Sequence, residues 1–474
     1  MFTGGRFATT HFRRSLAAAS LVLATGGLVL FRAPPVAAVS PPPLLADALN
    51  GANFNGPGMH GSIALSHRRV LSGSTQDVYA QVRVAADRSD VAQARAPLAL
   101  AVVLDTSGSM EGEKIEQAKD SVIKLVTEMR DEDEIAVVRY SDEATVVQRL
   151  ARLREVRTTL IARIRAISAG GGTAIPSGLS AGIAALAQSG SRRVQRIVLV
   201  SDGLDSTRPT AEALARASFD KGITISSLGV GLDFDEAYMS SLARAGHGNF
   251  GFVKDASALA SFLRRELDEA AATSVENAVV HLQLPQGLRF ESASGADARL
   301  IGDGTLELKF GSLFAGDERR ALVHLRAQIS DASSAALSGD ANWTRVSGGD
   351  ERARFSAISL QSTSDPTSVE ASIDRAVMAD AVSVIASARE LEATEAYARG
   401  DSARASALIE QNLGDLRRAA TLAPAPAVRA LAKQLESYGA QRRDFAAAPG
   451  SAEGQVAAKR GYEVDSSNMS RSAF

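Results

Sequence analysis

Residues 98–109 read Leu98-Ala99-Leu100-Ala101-Val102-Val103-Leu104-Asp105-Thr106-Ser107-Gly108-Ser109, an unbroken apolar run that ends in an aspartate and a hydroxyl-rich turn. A run apolar at every position, not at every second one, fits a strand buried on both faces, as in a parallel sheet. Just beyond it, Ile115, Ala118, Val122, Leu125, Val126 and Met129 recur at spacings of 3 and 4, the stripe of an amphipathic helix. Strands are predicted at 135–140 and 145–150, joined as a hairpin around Ser141-Asp142-Glu143. Leu160, Ile164 and Ile167 mark a second helix, Gly170-Gly171-Gly172 breaks the chain, and Pro176 suits the first turn of a helix reaching 187. A buried strand at 197–200 ends in Ser201-Asp202-Gly203. Helix 210–221, strand 223–230, helix 235–245, a short strand near 250–253 and helix 257–272 follow. Such alternation over 97–272 predicts the α/β class: a doubly wound, mostly parallel, Rossmann-like sheet with helices on both faces and one antiparallel edge strand. Ligands of such a sheet bind beyond the carboxyl ends of its strands.

Outside that block the signals change. Residues 1–38 have the layout of a secretory signal peptide: Arg6, Arg13 and Arg14, a mostly apolar run at 16–31, then Val36-Ala37-Ala38. Arg13-Arg14-Ser15-Leu16 also resembles a twin-arginine signal. Cleavage would place the protein in the periplasm or outside the cell; without cleavage the same run would be an N-terminal membrane anchor, although 16 residues are few for a span of about 20. Residues 39–60, rich in Pro, Gly, Asn and Ala, read as a linker. In 61–96, Ile63, Leu65, Val78, Ala80, Val82 and Val84 alternate with polar positions and predict strands that can join a later β-rich domain. That domain, sandwich-like, is predicted at 273–364, with turns at Pro285-Gln286-Gly287, Gly302-Asp303-Gly304 and Gly348-Gly349. Residues 368–446 carry helical spacing, interrupted by Pro424 and Pro426, and 447–474 read as a disordered tail.

Three short pieces carry chemistry: Asp105-Thr106-Ser107-Gly108-Ser109, Gly170-Gly171-Gly172-Thr173 and Ser201-Asp202-Gly203. Each falls on the carboxyl side of the predicted sheet, so Asp105, Ser107, Ser109, Thr173 and Asp202 can converge in one crevice. All five offer oxygen, two as carboxylates and three as hydroxyls. Oxygen-only donors suit hard divalent cations, Mg²⁺ first, with Ca²⁺ and Mn²⁺ also accommodated. Two carboxylates balance the 2+ charge, and the neutral hydroxyls leave the ion electrophilic toward an outside ligand such as a partner's Asp or Glu.

Asp-x-Ser-x-Ser, a Gly-rich Thr loop and Ser-Asp-Gly together resemble the metal-ion-dependent adhesion site of the von Willebrand factor type A (VWA) family. The resemblance covers about 97–272 and includes the phrases from Val103 to Met110, from Gly171 to Leu179 and from Leu199 to Gly203. The chain looks like bacterial secreted members, and like the domain shared with inter-alpha-trypsin inhibitor heavy chains and calcium-activated chloride channel regulators. The resemblance implies the five metal roles for Asp105, Ser107, Ser109, Thr173 and Asp202. It also implies a protein partner engaged through an acidic side chain, in adhesion or envelope assembly. Ala174 stands where the family often carries Asn. If the serines and Thr173 only cap helices, the fold stays and the ion is lost.

Composition narrows the alternatives. With 52 basic and 54 acidic residues and no run of five like charges, nothing recommends a nucleic-acid partner. The absence of cysteine excludes disulfides, thiolate metal sites, thiol nucleophiles and a lipidated-cysteine anchor. After the signal no stretch is long and apolar enough to span a membrane. A metal-dependent hydrolase is the weaker reading: Asp105 resembles the nucleophile of haloacid dehalogenase-like phosphatases, but Ser107 stands where their acid/base aspartate belongs. The six histidines (His11, His60, His67, His247, His281, His324) form no metal-spaced pair, and His247 is expected in a solvated loop. The chain is therefore read as a binding protein, not an enzyme. The other non-enzymatic reading is an envelope scaffold whose metal only stabilises the fold.

Overall fold

The computed structural model describes residues 50–88, 97–189, 193–202, 205–230, 234–253, 256–330 and 333–471. The signal segment 1–38, residues 39–49 of the expected linker and Gly203 lie outside them.

Four strands come first: β1 (Gly51–Gly56), β2 (Met59–Leu65), β3 (Arg69–Leu71) and β4 (Thr75–Ala86). The α/β block is β5 (Leu98–Asp105), α1 (Glu113–Glu128), β6 (Glu134–Tyr140), β7 (Ala144–Arg152), α2 (Leu153–Arg165), α3 (Ile175–Leu186), β8 (Val194–Ser201), α4 (Arg208–Phe219), β9 (Ile223–Val230), α5 (Glu236–Ala245), β10 (His247–Val253) and α6 (Ala256–Ala272). Its sheet runs β10-β9-β8-β5-β6-β7, with β7 antiparallel to β6 and the other pairings parallel. Every residue of β5 is buried because its side chains feed two cores. Leu98, Leu100, Val102 and Leu104 face α1, α2 and α6, whereas Ala99, Ala101 and Val103 face α3, α4 and α5. Each large apolar side chain so buried contributes about 1.5–3 kcal/mol, which is why the unbroken apolar run locates the centre of the sheet.

Helix α6 passes directly into β11 (Thr273–Gln283), followed by β12 (Leu288–Ser294), β13 (Asp297–Ile301), β14 (Thr305–Phe314), β15 (Glu318–Gln328), β16 (Ser334–Arg345) and β17 (Asp350–Thr363). They form two sheets, β1-β2-β4-β15-β12 and β13-β14-β11-β16-β17-β3, which share one apolar core. The long ladder from Glu318↔Ala85 to Gln328↔Thr75 joins β15 to β4. The α/β block is thus an insertion between β4 and β11 of a sandwich.

Residues 51–60 are strand, not linker. Ala52, Phe54 and Met59 point into the sandwich core, Pro57-Gly58 makes the turn, and the Trp343 indole N–H donates to Pro57 O at 2.9 Å. The Gly and Asn composition hides this period-two pattern.

The remaining helices are α7 (Pro366–Ala371), α8 (Arg375–Ala398), α9 (Ser402–Leu422), α10 (Ala425–Asp444) and α11 (Ala452–Arg471). Asp365, Asp374 and Asp401 cap the first three of them. Pro424 and Pro426 do not break a helix but start α10, where a missing N–H costs nothing. The tail expected to be disordered is largely α11. Ala457 and Ala458 pack on the helical core, and Tyr462 enters the core of the α/β block. Tertiary packing, not intrinsic propensity, supports this helix. Among the described residues no helix is long and apolar enough to cross a membrane.

Candidate metal centre

Paired strands β5 and β8 end side by side, Leu104 opposite Val200, so Asp105 and Ser201-Asp202 emerge together at the carboxyl edge of the sheet. From there β5 leads to α1 on one face and β8 to α4 on the other, which opens a crevice between the two exits. Asp105 and Asp202 are both buried, at 0% and 2% exposure.

Four of the five expected donors form a hydrogen-bonded chain. The Ser107 N–H donates to Asp105 Oδ1 at 2.8 Å, Ser107 Oγ and Ser109 Oγ lie 3.0 Å apart, and Ser109 Oγ donates to Asp202 Oδ1 at 2.8 Å. Thr173 sits, half-buried, in the neighbouring glycine loop; among the described residues no hydrogen bond ties its hydroxyl to the other four. That loop is laced to the first one, since Gly108 N–H donates to Gly171 O at 2.9 Å and Gly170 N–H to Thr106 O at 2.8 Å. Gly171 has φ +91° and leaves no room for a side chain: a Cβ there would stand 2.6 Å from Asp142 Oδ2.

Several residues of the centre were not singled out from the sequence. Asp105 Oδ2 accepts from Ser201 Oγ at 2.6 Å and from the Tyr140 hydroxyl at 3.3 Å. Lys114 pairs with Asp202 Oδ2. Asp205 accepts the N–H of Ile175 at 2.8 Å and that of Thr207 at 2.7 Å, bracing the starts of α3 and α4. Lys114 carries a faint signal, a cation in the first turn of a helix. The others depend on long-range packing.

Burial pushes the Asp105 carboxyl above the usual carboxylate range. Hydrogen bonds from Ser201 and Ser107 pull it back, and the charge of Asp202 pushes it further up. Burial likewise holds Tyr140 well above an ordinary phenol, with Asp105 adding to the effect, so it remains a donor. Two buried carboxylates, bridged by neutral hydroxyls, the charge of Asp202 adding to the rise at Asp105, are a donor set that a hard divalent cation would relieve. The residues therefore fit such an ion.

His247 belongs elsewhere. It begins β10, at the opposite edge of the sheet, and is not in a solvated loop: its ring stacks on Phe219 at 3.6 Å and burial pushes its pKa down to about 3. Its backbone has a positive φ of 52°.

Residues 99–265 match the family model of the von Willebrand factor type A domain. The chain is 26% identical over 276 residues to an uncharacterized protein of Synechocystis sp., covering 56% of this chain and 65% of that protein. It is also 26% identical over 254 residues to inter-alpha-trypsin inhibitor heavy chain H4 of Sus scrofa, covering 52% of this chain and 26% of that one. It thus spans less than two thirds of the length of these curated relatives. Among solved structures, a von Willebrand factor type A protein from Catenulispora acidiphila superposes with a TM-score of 0.68 at 17% identity, covering 88% of this chain and 97% of that one. The ArnB paralog VWA2 from Sulfolobus acidocaldarius gives 0.55 at 15% identity, covering 86% and 98%. At such identities the likeness is one of fold, and its coverage takes in the flanking strands and helices as well as the α/β block.

Proposed function

We propose that the von Willebrand factor type A domain at residues 99–265 binds a divalent cation between its two buried carboxylates and uses it to hold an acidic side chain of a protein partner. The observation that carries this reading is the chain Asp105–Ser107–Ser109–Asp202, with two carboxylates at its ends and hydroxyls between. Asp105, Ser107, Ser109, Asp202 and Thr173 would hold the ion, Mg²⁺ in preference, with Ca²⁺ and Mn²⁺ as oxygen-seeking alternatives. When bound, the ion supplies a fixed positive charge with room for an outside oxygen. The protein's part is orientation. Ser201 and Tyr140 fix one oxygen of Asp105 and the Ser107 N–H fixes the other. Ser109 fixes Asp202, and the glycine loop sets the position of Thr173.

Binding suits Asp105 better than catalysis does. A phosphatase-like nucleophile works with an acid/base aspartate two residues on, and Ser107 stands there. The signal-like layout of residues 1–38 supports export to the periplasm or beyond, where adhesion or envelope assembly would use such a grip.

The test is calorimetric titration of Mg²⁺, Ca²⁺ and Mn²⁺ into the full chain, with acetate present to stand in for the partner's acid. One ion per chain is expected for the wild type and none for Asp105→Ala. A wild type that takes up no ion overturns the reading. Partner binding equal in wild type and Asp105→Ala, with or without chelator, would instead favour the scaffold role.

A further inference from the structure

Lys114 is the second residue of α1, in the turn where the peptide dipoles leave the helix end positive. A lysine there runs against that field, so something must hold it. Its ammonium pairs with Asp202 Oδ2, and the Asp202 side chain is fully buried while Lys114 is 30% exposed. The other oxygen of Asp202 accepts from Ser109. Among the described residues Lys114 is the one cation paired with either carboxylate of the centre. Further acid lies close by: Asp142 borders Gly171 and Gly172, and Asp205 braces α3.

We infer that Lys114 is the centre's resident counter-cation and sets its affinity for metal. This rests on the metal reading above. Both oxygens of Asp202 are engaged, so a divalent ion approaching that carboxylate must either take the place of the ammonium or bind beside a like charge. In both cases the ammonium lowers the affinity. An acidic partner would supply the negative charge that the lysine has cancelled, so metal and partner should be held together more firmly than metal alone. The lysine is a positioning and tuning residue, not a ligand.

Mn²⁺ titration of the full chain, followed by calorimetry, tests this in the wild type, Lys114→Met, Lys114→Gln and Lys114→Arg. Loss of the charge should tighten Mn²⁺ binding about tenfold. Gln keeps a donor without the charge and should follow Met, whereas Arg should follow the wild type. Without metal, Lys114→Met should melt below the wild type, and it should gain more from saturating Mn²⁺. Mn²⁺ bound by Lys114→Met alone, and by the wild type only when acetate is present, would also support the inference. Equal or weaker binding by Lys114→Met and Lys114→Gln, with the wild type binding normally, overturns the inference and leaves the metal reading intact. No binding by any of the four overturns both.

Discussion

At the scale of single residues, burial far from the crevice has its own consequence at Glu276. This side chain lies where β11 slips register against β14 and β16, and burial pushes its pKa up to about 7, with Arg196 pulling the other way. Arg196 is engaged with Glu266 at 3.4 Å and keeps a buried Nε without a partner, so it offers Glu276 little relief. From pH 4.5 to about 7 the folded chain keeps a proton that the unfolded chain has lost. The stability linked to Glu276 is therefore full below that window and is lost as pH rises through it. Glu276→Gln should flatten the fall in melting temperature between pH 5 and 8 and be the more stable form at pH 8 by about 1–2 kcal/mol, after allowance for partial exposure. Parallel pH profiles for the two proteins would contradict this. No local pattern announces Glu276, because the cation beside it, Arg196, comes from β8, far away in the chain. The oxygen donors of the crevice are the opposite case. Asp105, Ser107, Ser109 and Asp202 were legible because each closes or follows a strand whose apolar run is itself legible. Lys114 was only faintly legible, as a cation in the first turn of a helix, and Tyr140 and Asp205 were not, since their roles exist only once the chain has folded.

At the scale of elements, legibility follows the number of buried faces. Strands β5 and β8 lie inside the sheet and carry apolar runs at 98–104 and 197–200, whereas β9, buried as fully, mixes its apolar residues with Thr224, Ser226 and Ser227. Strand β1 shows only Ala52 and Phe54 to the core, and α11 buries alanines, so composition suggested a linker and a loose tail. Helix α3 shows how an element serves the site. It approaches the sheet so closely that a Cβ on Gly178 would stand 2.6 Å from the Tyr140 ring and 2.9 Å from Val103. Tyr140 is the residue that donates to Asp105. Gly178→Ala should therefore lift α3 or displace the ring, costing about 1–3 kcal/mol as an overpacked core. If the ring moves, metal uptake should weaken as well, while Gly73→Ala, where nothing lies near and only φ is strained, should lower stability and leave uptake alone. Denaturant melts paired with Mn²⁺ titration separate the two effects. Unchanged stability of Gly178→Ala would mean that α3 has slack this packing denies.

At the scale of the whole molecule, the α/β block hangs from the sandwich by two connections and the helices hold it from another side. Lys459 of α11 pairs with Glu236 of α5 and stands 4.3 Å from the centre of the Phe234 ring, beside the edge strand β10. Asp380 of α8 meets the sandwich: Gln81 donates to it, Arg320 lies at 3.5 Å and Arg83 at 4.0 Å. Burial first, and then the nearby Arg320, lowers the pKa of Arg83, and Glu318 is the remaining partner of the two arginines. Asp380 thus keeps two half-buried guanidinium groups from facing each other with too little negative charge. Removing it leaves an excess of buried positive charge, an effect larger than the pair itself contributes. Asp380→Ala should weaken the docking of α8 by about 1–3 kcal/mol once partial exposure is allowed for. In calorimetry the helical region should then melt ahead of the sandwich. Asp380→Asn, which keeps the hydrogen bond from Gln81 but not the charge, should fall closer to Ala than to the wild type. A single unshifted transition for Asp380→Ala would show that the apolar faces of α8 and α10 alone hold the helices in place, and the sandwich, α/β block and helices would then be joined by shape without this ionic clip.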